Sequence, residues 1–186
     1  VTIIQGSGSG HEPAHVMTVG PGMLTAACPG DVFAAPPVEY VFETARRLAS
    51  SRGVLFIVNN YTGDRMAFEM AQELAEAEGI AVRTIFVDDD VAVQDSLYTV
   101  GGRGVAGNFF VMKAVGAAAE AGADLDELVR IGEEVNAASR TMGLALTACT
   151  PPAKGSPLFE LGETEIELGV GIHGEPGRER VAMGAA

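Results

Sequence analysis

At 186 residues, 47% of them hydrophobic, the chain is long enough to bury the core of one globular domain, and it has no long polar tract that would keep it unfolded. Its 25 acidic residues against 12 basic ones give a formal charge of −13, a field that repels phosphates and argues against nucleic acid as a partner or a nucleoside triphosphate bound unaided. The longest strongly apolar run, GVLFIV at 53–58, is far short of the roughly 20 residues of a membrane span, and no basic region followed by an apolar stretch opens the chain; a soluble, cytoplasmic protein with no membrane partner is expected.

In chain order, residues 1–5 read as a buried strand that runs into the glycine-serine loop GSGSG, and VLFIV at 54–58 as a second strand bounded by Gly53 and Asn59-Asn60. DRMAFEMAQELAEAEG follows as a helix, with Phe68, Ala71, Leu74 and Ala75 on one face and Gly79 where a C-terminal cap belongs. IAVRTIFV at 80–87 is a strand again, so this region is a βαβ unit with parallel strands. Residues 108–122 and 124–140 read as helices, the second opened by Asp124 and Glu127 at capping-box spacing. LALTAC at 144–149 and the alternating TEIELGVGI at 164–172 complete the strand candidates. The expected fold is α/β, a largely parallel sheet flanked by helices, with the active site at the strand carboxyl ends. Residues 1–186 are expected to form a single domain without internal repeats. Cys28 and Cys149 lack metal-type spacing and read as reduced, packed thiols.

The stretch GSGSGHEPAH at 6–15 admits several readings. A phosphate loop would use glycine N–H groups, but no Gly-Lys-Ser/Thr ending follows, and the third glycine of the dinucleotide fingerprint is missing. His11-Glu12-Pro13-Ala14-His15 matches the letters of the zinc-protease pattern H-E-x-x-H, which needs a helix through both histidines. Five Gly/Ser residues precede it, Pro13 fits a first helical turn with His11 ahead of it in the loop, and Gly20-Pro21-Gly22 follows, so the two rings are not expected to share a face. The remaining readings, evenly weighted on this fragment alone, are a cradle for a small neutral polyol or carbonyl compound and a tight turn with a surface histidine. In the cradle, backbone N–H groups and the Ser9 hydroxyl donate and His11 supplies a titratable nitrogen.

Two further places carry chemistry. Asp64 either caps its helix or, at the carboxyl end of a parallel strand, faces the opening loop and accepts a hydroxyl proton. His173, in GVGIHGEPG at 169–177, is a turn histidine with glycines clearing space around it; a neutral imidazole is a competent nucleophile toward a carbonyl carbon, and Glu175 is placed to orient it. Asp88-Asp89-Asp90 invites a magnesium reading, but three consecutive side chains cannot all point one way, and a polar strand-to-loop turn is preferred; no metal site is assigned.

Taken together and in order, GSGSGHEP, CPGDVF, NYTGD, DDDVAVQDSLYTVGGRGVAG and GVGIHGEPG resemble the ketose-binding subunit of the dihydroxyacetone kinases, over nearly the whole chain. The family's subunit extends further at both ends, so the resemblance implies a partial chain. It implies that His173 captures the substrate carbonyl covalently as a hemiaminal, that His11 and Asp64 handle the proton, and that Gly8, Ser9, Gly10, His11, Asn59 and Asp64 bind substrate. It also implies a homodimer and a partner subunit or domain that supplies the phosphoryl group, from ATP and Mg or from phosphohistidine, with no cofactor bound by this chain. Phosphoryl transfer needs cations around the γ-phosphate or a phosphorylated donor residue, and this acidic chain has no P-loop. The family commonly has lysine where this chain has Asn59, an amide without charge and with less reach, which points to a changed substrate such as a four-carbon ketose, or to weaker turnover. A ketose kinase subunit is the leading reading, and a ketose-sensing regulatory paralogue without transfer is the alternative.

Overall fold

The computed structural model describes residues 1–93 and 101–184. The elements are β1 (Thr2–Gln5), β2 (Gly8–Ser9), a single 3-10 turn (Val16–Thr18), β3 (Ala26–Ala27), β4 (Gly30–Val32), α1 (Val38–Leu48), β5 (Val54–Asn59), α2 (Thr62–Ala77), β6 (Val82–Val87), α3 (Gly107–Glu120), α4 (Leu125–Ala138), β7 (Leu144–Ala145), β8 (Glu165–Leu168) and β9 (Glu179–Ala182). The main sheet is parallel throughout, in the order β3-β1-β5-β6. β2 and β4 form a small parallel pair, and β7, β8 and β9 a separate antiparallel sheet.

The apolar run of β5 is continuous because both faces of the sheet are covered. Val54, Phe56 and Val58 join Ile4 on one face, packed on Val41 and Ala45 of α1 and Phe68, Ala71 and Ala75 of α2. Leu55 and Ile57 join Ile3 and Ile85 on the other, against Val111, Met112 and Val115 of α3 and Leu128 of α4. This is the α/β architecture, with helices on both sides of a parallel sheet, that the sequence predicts. Among the described residues no helix is long and apolar enough to cross a membrane.

Helix ends follow their sequence signals. Gly79 takes the C′ position of α2 at φ 80, with its N–H on Glu76 O and the Ile80 N–H on Ala75 O, the paired bonds of a Schellman ending. Asp124 caps α4 by accepting the Glu127 N–H at 2.9 Å, while the Glu127 carboxylate turns to Arg130 instead of closing the box.

Four expectations are corrected. Leu74 is 46% exposed: one residue step, about 100°, turns it away from the buried face that Ala75 occupies. The strand expected over 144–149 stops after Ala145, where the chain bends away from β8 with Leu146 exposed. The strand expected over 164–172 ends at Leu168, because Gly169 turns to φ 78 and the chain from there to 175 is a loop. Cys28 is buried beside Thr44, but Cys149 is exposed rather than packed.

Candidate active site

β1 and β5 point their carboxyl ends at the same region. After β1, the 6–10 loop is held by backbone: Ser9 Oγ donates to Gly30 O at 2.6 Å and Ser9 O accepts the Phe33 N–H. Gly8 is glycine because a Cβ there would stand 2.6 Å from Ala34 N and 2.8 Å from Phe33 Cα. No helix begins at Pro13, contrary to the expectation of a first turn there; the chain turns through 11–15 and a short 3-10 turn starts only at Val16.

The loop places the His11 ring flat on Phe33, with centroids 4.8 Å apart and planes at 16°. The rings of His173 and His11 meet edge to face with centroids 4.9 Å apart, and those of Tyr61 and His173 likewise at 4.8 Å. Residues 162 positions apart in sequence, His11 and His173, thus join one aromatic cluster. Burial, then the nearby His173, pushes the pKa of His11 down to about 4, so its ring is neutral at pH 7.

Beside this cluster lies a cavity of about 530 Å³ lined by Ser7, Phe33, Tyr61, Asp64, His173 and Glu175 among others. Asp64 is in the first turn of α2, immediately beyond β5, and it does not cap the helix; the cap residue, Tyr61, makes no side-chain cap bond either. Instead Asp64 Oδ2 accepts the Ser7 hydroxyl at 2.8 Å, while Oδ1 is buried without a partner. Burial pushes the Asp64 carboxyl up to about 7 against the lowering pull of Ser7 and His173. A carboxylate that titrates near neutrality is suited to proton transfer at pH 7.

His173 sits on the loop between β8 and β9. Its Nδ1 is 3.0 Å from Glu175 Oε1, and its backbone N–H donates to Glu175 Oε2 at 2.9 Å. Burial opposes ionisation of Glu175, but the bonds from His173 bring its carboxyl down to about 2, so an anion faces Nδ1. A carboxylate accepts only, so Nδ1 carries a proton, and in the neutral tautomer this leaves the lone pair on Nε2. The loop is anchored by Arg103, fully buried, whose Nε donates to Asp90 Oδ2 at 2.6 Å and whose Nη2 donates to Gly169 O at 2.9 Å.

The structure thus gathers His11, Asp64 and His173 at one place. Gly8, Ser9 and Gly10 form the supporting turn, but Ser7, not Ser9, reaches the cavity, and the Ser9 hydroxyl is spent on β4. Asn59, at the end of β5, is buried; its Oδ1 accepts from Asn108 Nδ2, and it lines a second cavity on the α3 side together with His11. Sequence reasoning passed over Ser7, Phe33 and Tyr61. Alternation along GSGSG puts Ser7 and Ser9 on one face and does not separate them, and the stacking partners needed a fold.

The Asp88-Asp89-Asp90 triplet is a polar turn whose side chains diverge. Asp88 Oδ1 takes Asn136 Nδ2, Asp89 takes the Val105 and Gly107 N–H groups and the Thr141 hydroxyl, and Asp90 takes Arg103. Among the described residues no group of three or more His, Cys, Asp or Glu is arranged to hold a metal ion. The part of the DDDVAVQDSLYTVGGRGVAG motif at 94–100 lies outside the described residues.

Comparison with known proteins matches the Dak1 domain to residues 1–186. The chain belongs to the Dak1 domain family. This Dak1 domain is 56% identical, over its whole length and 57% of the relative's, to the dihydroxyacetone-binding subunit DhaK of the PTS-dependent dihydroxyacetone kinase 1 of Listeria innocua. It superposes on the dihydroxyacetone kinase of C. freundii with a TM-score of 0.90 at 41% identity, covering 97% of this chain and 33% of that one; that kinase has been solved in its native form and with AMP-PNP and Mg2+. It also superposes on the dihydroxyacetone kinase operon co-activator DhaQ, with a TM-score of 0.92 at 38% identity over the whole chain and 57% of that protein. The Dak1 domain spans little more than half the length of the DhaK subunit it matches.

Proposed function

We propose that this chain is a single ketose-binding unit of a dihydroxyacetone or short-chain ketose kinase, cytoplasmic and homodimeric, working with a partner that carries the phosphoryl donor. The observation that carries the proposal is the His173–Glu175 pair on the same cavity as Asp64, with the His11 ring 4.9 Å from that of His173. Glu175 holds the Nδ1 proton, so Nε2 attacks the ketose carbonyl: a C–N bond forms as the C=O π bond breaks. In net balance the new hydroxyl gains the proton that the ring loses, and the adduct is a neutral hemiaminal. Capture of a carbonyl also separates a ketose from the corresponding polyol, which hydrogen bonds alone do poorly.

The tethered ketose then turns its terminal hydroxyl to Asp64, the better base of the Asp64–His11 pair at pH 7, which takes the proton as the hydroxyl attacks phosphorus. The partner brings either ATP with Mg or a phosphohistidine. The relative's name, PTS-dependent, favours the relay, and the C. freundii complex with AMP-PNP and Mg2+ favours the nucleotide. Incubating the full-length protein with each kind of donor protein and a panel of three- to five-carbon ketoses tests the reading. A phosphorylated ketose under one pairing is expected, and none under any pairing overturns it.

Asn59 sets substrate preference in this account. Replacement by lysine loses the acceptor used by Asn108 and adds a charged donor, worth about 1.5–3 kcal/mol when it meets a substrate oxygen. Asn59→Lys is expected to change the ratio of kcat/KM for dihydroxyacetone over a four-carbon ketose by roughly tenfold or more; unchanged kinetics contradict the assignment.

The likeness to the DhaQ co-activator favours a second reading, a ketose sensor without transfer. A sensor needs the carbonyl trap but no base, and here the carboxyl of Asp64 is held by burial near neutrality, an expensive feature for a protein that only binds. The same donor panel separates the two.

A further inference from the structure

Ser7 takes no part in the steps proposed for the reaction, yet it is the side chain bonded to the base. It lies in the link between β1 and β2, is buried, lines the ketose cavity, and donates its hydroxyl to Asp64 Oδ2 at 2.8 Å across 57 positions of sequence. The backbone holds it there. Ser7 O accepts the Gly30 N–H at 2.9 Å, and both neighbours in sequence are glycines at close approaches: a Cβ at Gly6 would overlap Cys28 O, and one at Gly8 would stand 2.6 Å from Ala34 N. The chain on either side of Ser7 is thus wedged against the 28–34 segment, and Oγ meets the carboxylate from a fixed point on another element.

A serine hydroxyl both donates and accepts. It donates to the Asp64 carboxylate and, once the carboxyl has taken a proton on Oδ2, it can turn and accept that hydrogen bond, so the contact serves both halves of a proton transfer. A donor to the charged form of a group favours that form. Burial raises the pKa of Asp64, and of the two influences that oppose burial the Ser7 bond is the larger, His173 being the other. The remaining titratable side chains around the cavity do not take its place. Burial keeps the proton on Tyr61, Glu175 is engaged with His173, and His11 is neutral at pH 7.

We propose that Ser7 is a positioning residue for phosphoryl transfer, which clamps Asp64 by Oδ2 and keeps it in the ionised, proton-accepting form when the ketose is bound. This role rests on the reading of Asp64 as the base. Without Ser7 the carboxyl keeps its own proton at pH 7, and the ketose hydroxyl, which then has nowhere to send its proton, attacks phosphorus poorly.

Two measurements on the full-length protein test the role, one of them independent of turnover. The Asp64 carboxyl carbon is followed by 13C NMR through a pH titration; its midpoint, about 7 in the native protein, should rise to about 8 or above in Ser7→Ala. The pH profile of ketose phosphorylation should move with it, so that the rate falls about fivefold at pH 7 and the deficit closes by about pH 9. In an Asp64→Asn background, Ser7→Ala should produce no pH-dependent deficit, whereas a serine that merely ties the loop to α2 would lower the rate by one factor at every pH and in both backgrounds. An unchanged Asp64 titration in Ser7→Ala, or a loss of rate that does not vary with pH, overturns the proposal. A raised titration without any phosphorylated ketose supports the clamp and contradicts the kinase reading, so the two failures are told apart.

Discussion

Asp64 concentrates the chemistry of the site because the fold both buries it and leaves Oδ1 without a partner. Its carboxyl is neutral when water is scarce and becomes a base as its proton leaves near pH 7. The rate of ketose phosphorylation should therefore rise from pH 5 to pH 8 with a midpoint close to 7, and Asp64→Asn should flatten the profile and lower the rate on the order of 10²–10⁴-fold. The same residue links stability to pH with a definite sign. A folded-state pKa raised above the unfolded value near 3.9 gives stability that is complete below that value and is lost as pH rises through about 7. His11 and His15, lowered to about 4, act oppositely: their share is present above about 6.5 and lost as pH falls through 4. In urea titrations Asp64→Asn should gain stability relative to the native protein between pH 5 and pH 8; a gap that is constant over this range would show that Asp64 ionises freely.

At the scale of elements, the loop between β8 and β9 that carries His173 is held at two places, by Glu175 bonded to His173 and by Arg103 bonded to Gly169 O. A Cβ at Gly171 would overlap Glu175 Oε2 and stand 2.6 Å from Arg103 Nη1, so Gly171→Ala should displace the carboxylate from His173. Ketose capture should fall about tenfold or more, the worth of a charge-assisted hydrogen bond, while the circular dichroism spectrum is kept; full capture would show that Glu175 is dispensable. The Asp triplet gives a second contrast. Asp90→Asn leaves the buried Arg103 unpaired and should cost about 3–5 kcal/mol. Asp88→Asn, on an exposed side chain bonded to Asn136, should stay within about 0.5 kcal/mol. Denaturant midpoints decide it. These carboxylates look alike in sequence because they are adjacent; only burial tells them apart, and burial of Asp90 is imposed by Arg103 and Gly169, one near in sequence and one far.

Over the whole molecule, legibility follows the range of the interactions. The β5–α2–β6 unit was readable because a continuous apolar run, a helical face and Gly79 are local signals, and the doubly covered sheet only reinforces them. The short strand β7 was over-read, because its pairing is set by β8, some 20 residues on, and not by burial of its apolar residues, of which Leu144 and the following Leu146 are exposed. His11, Asp64 and His173 were legible one by one as a polar residue at a loop or strand end, and as a set through resemblance. Their convergence depends on β1 lying beside β5, and the partners Phe33, Tyr61 and Ser7 could be found only with that geometry.

The central claim is that the His173 ring bonds to a ketose carbon. Full-length protein incubated with dihydroxyacetone, reduced with borohydride, and weighed intact should carry the mass of one trapped ketose per chain, located on His173 by peptide mapping and missing in His173→Ala. An unmodified mass in the native protein, or the same adduct in the alanine variant, would contradict the account.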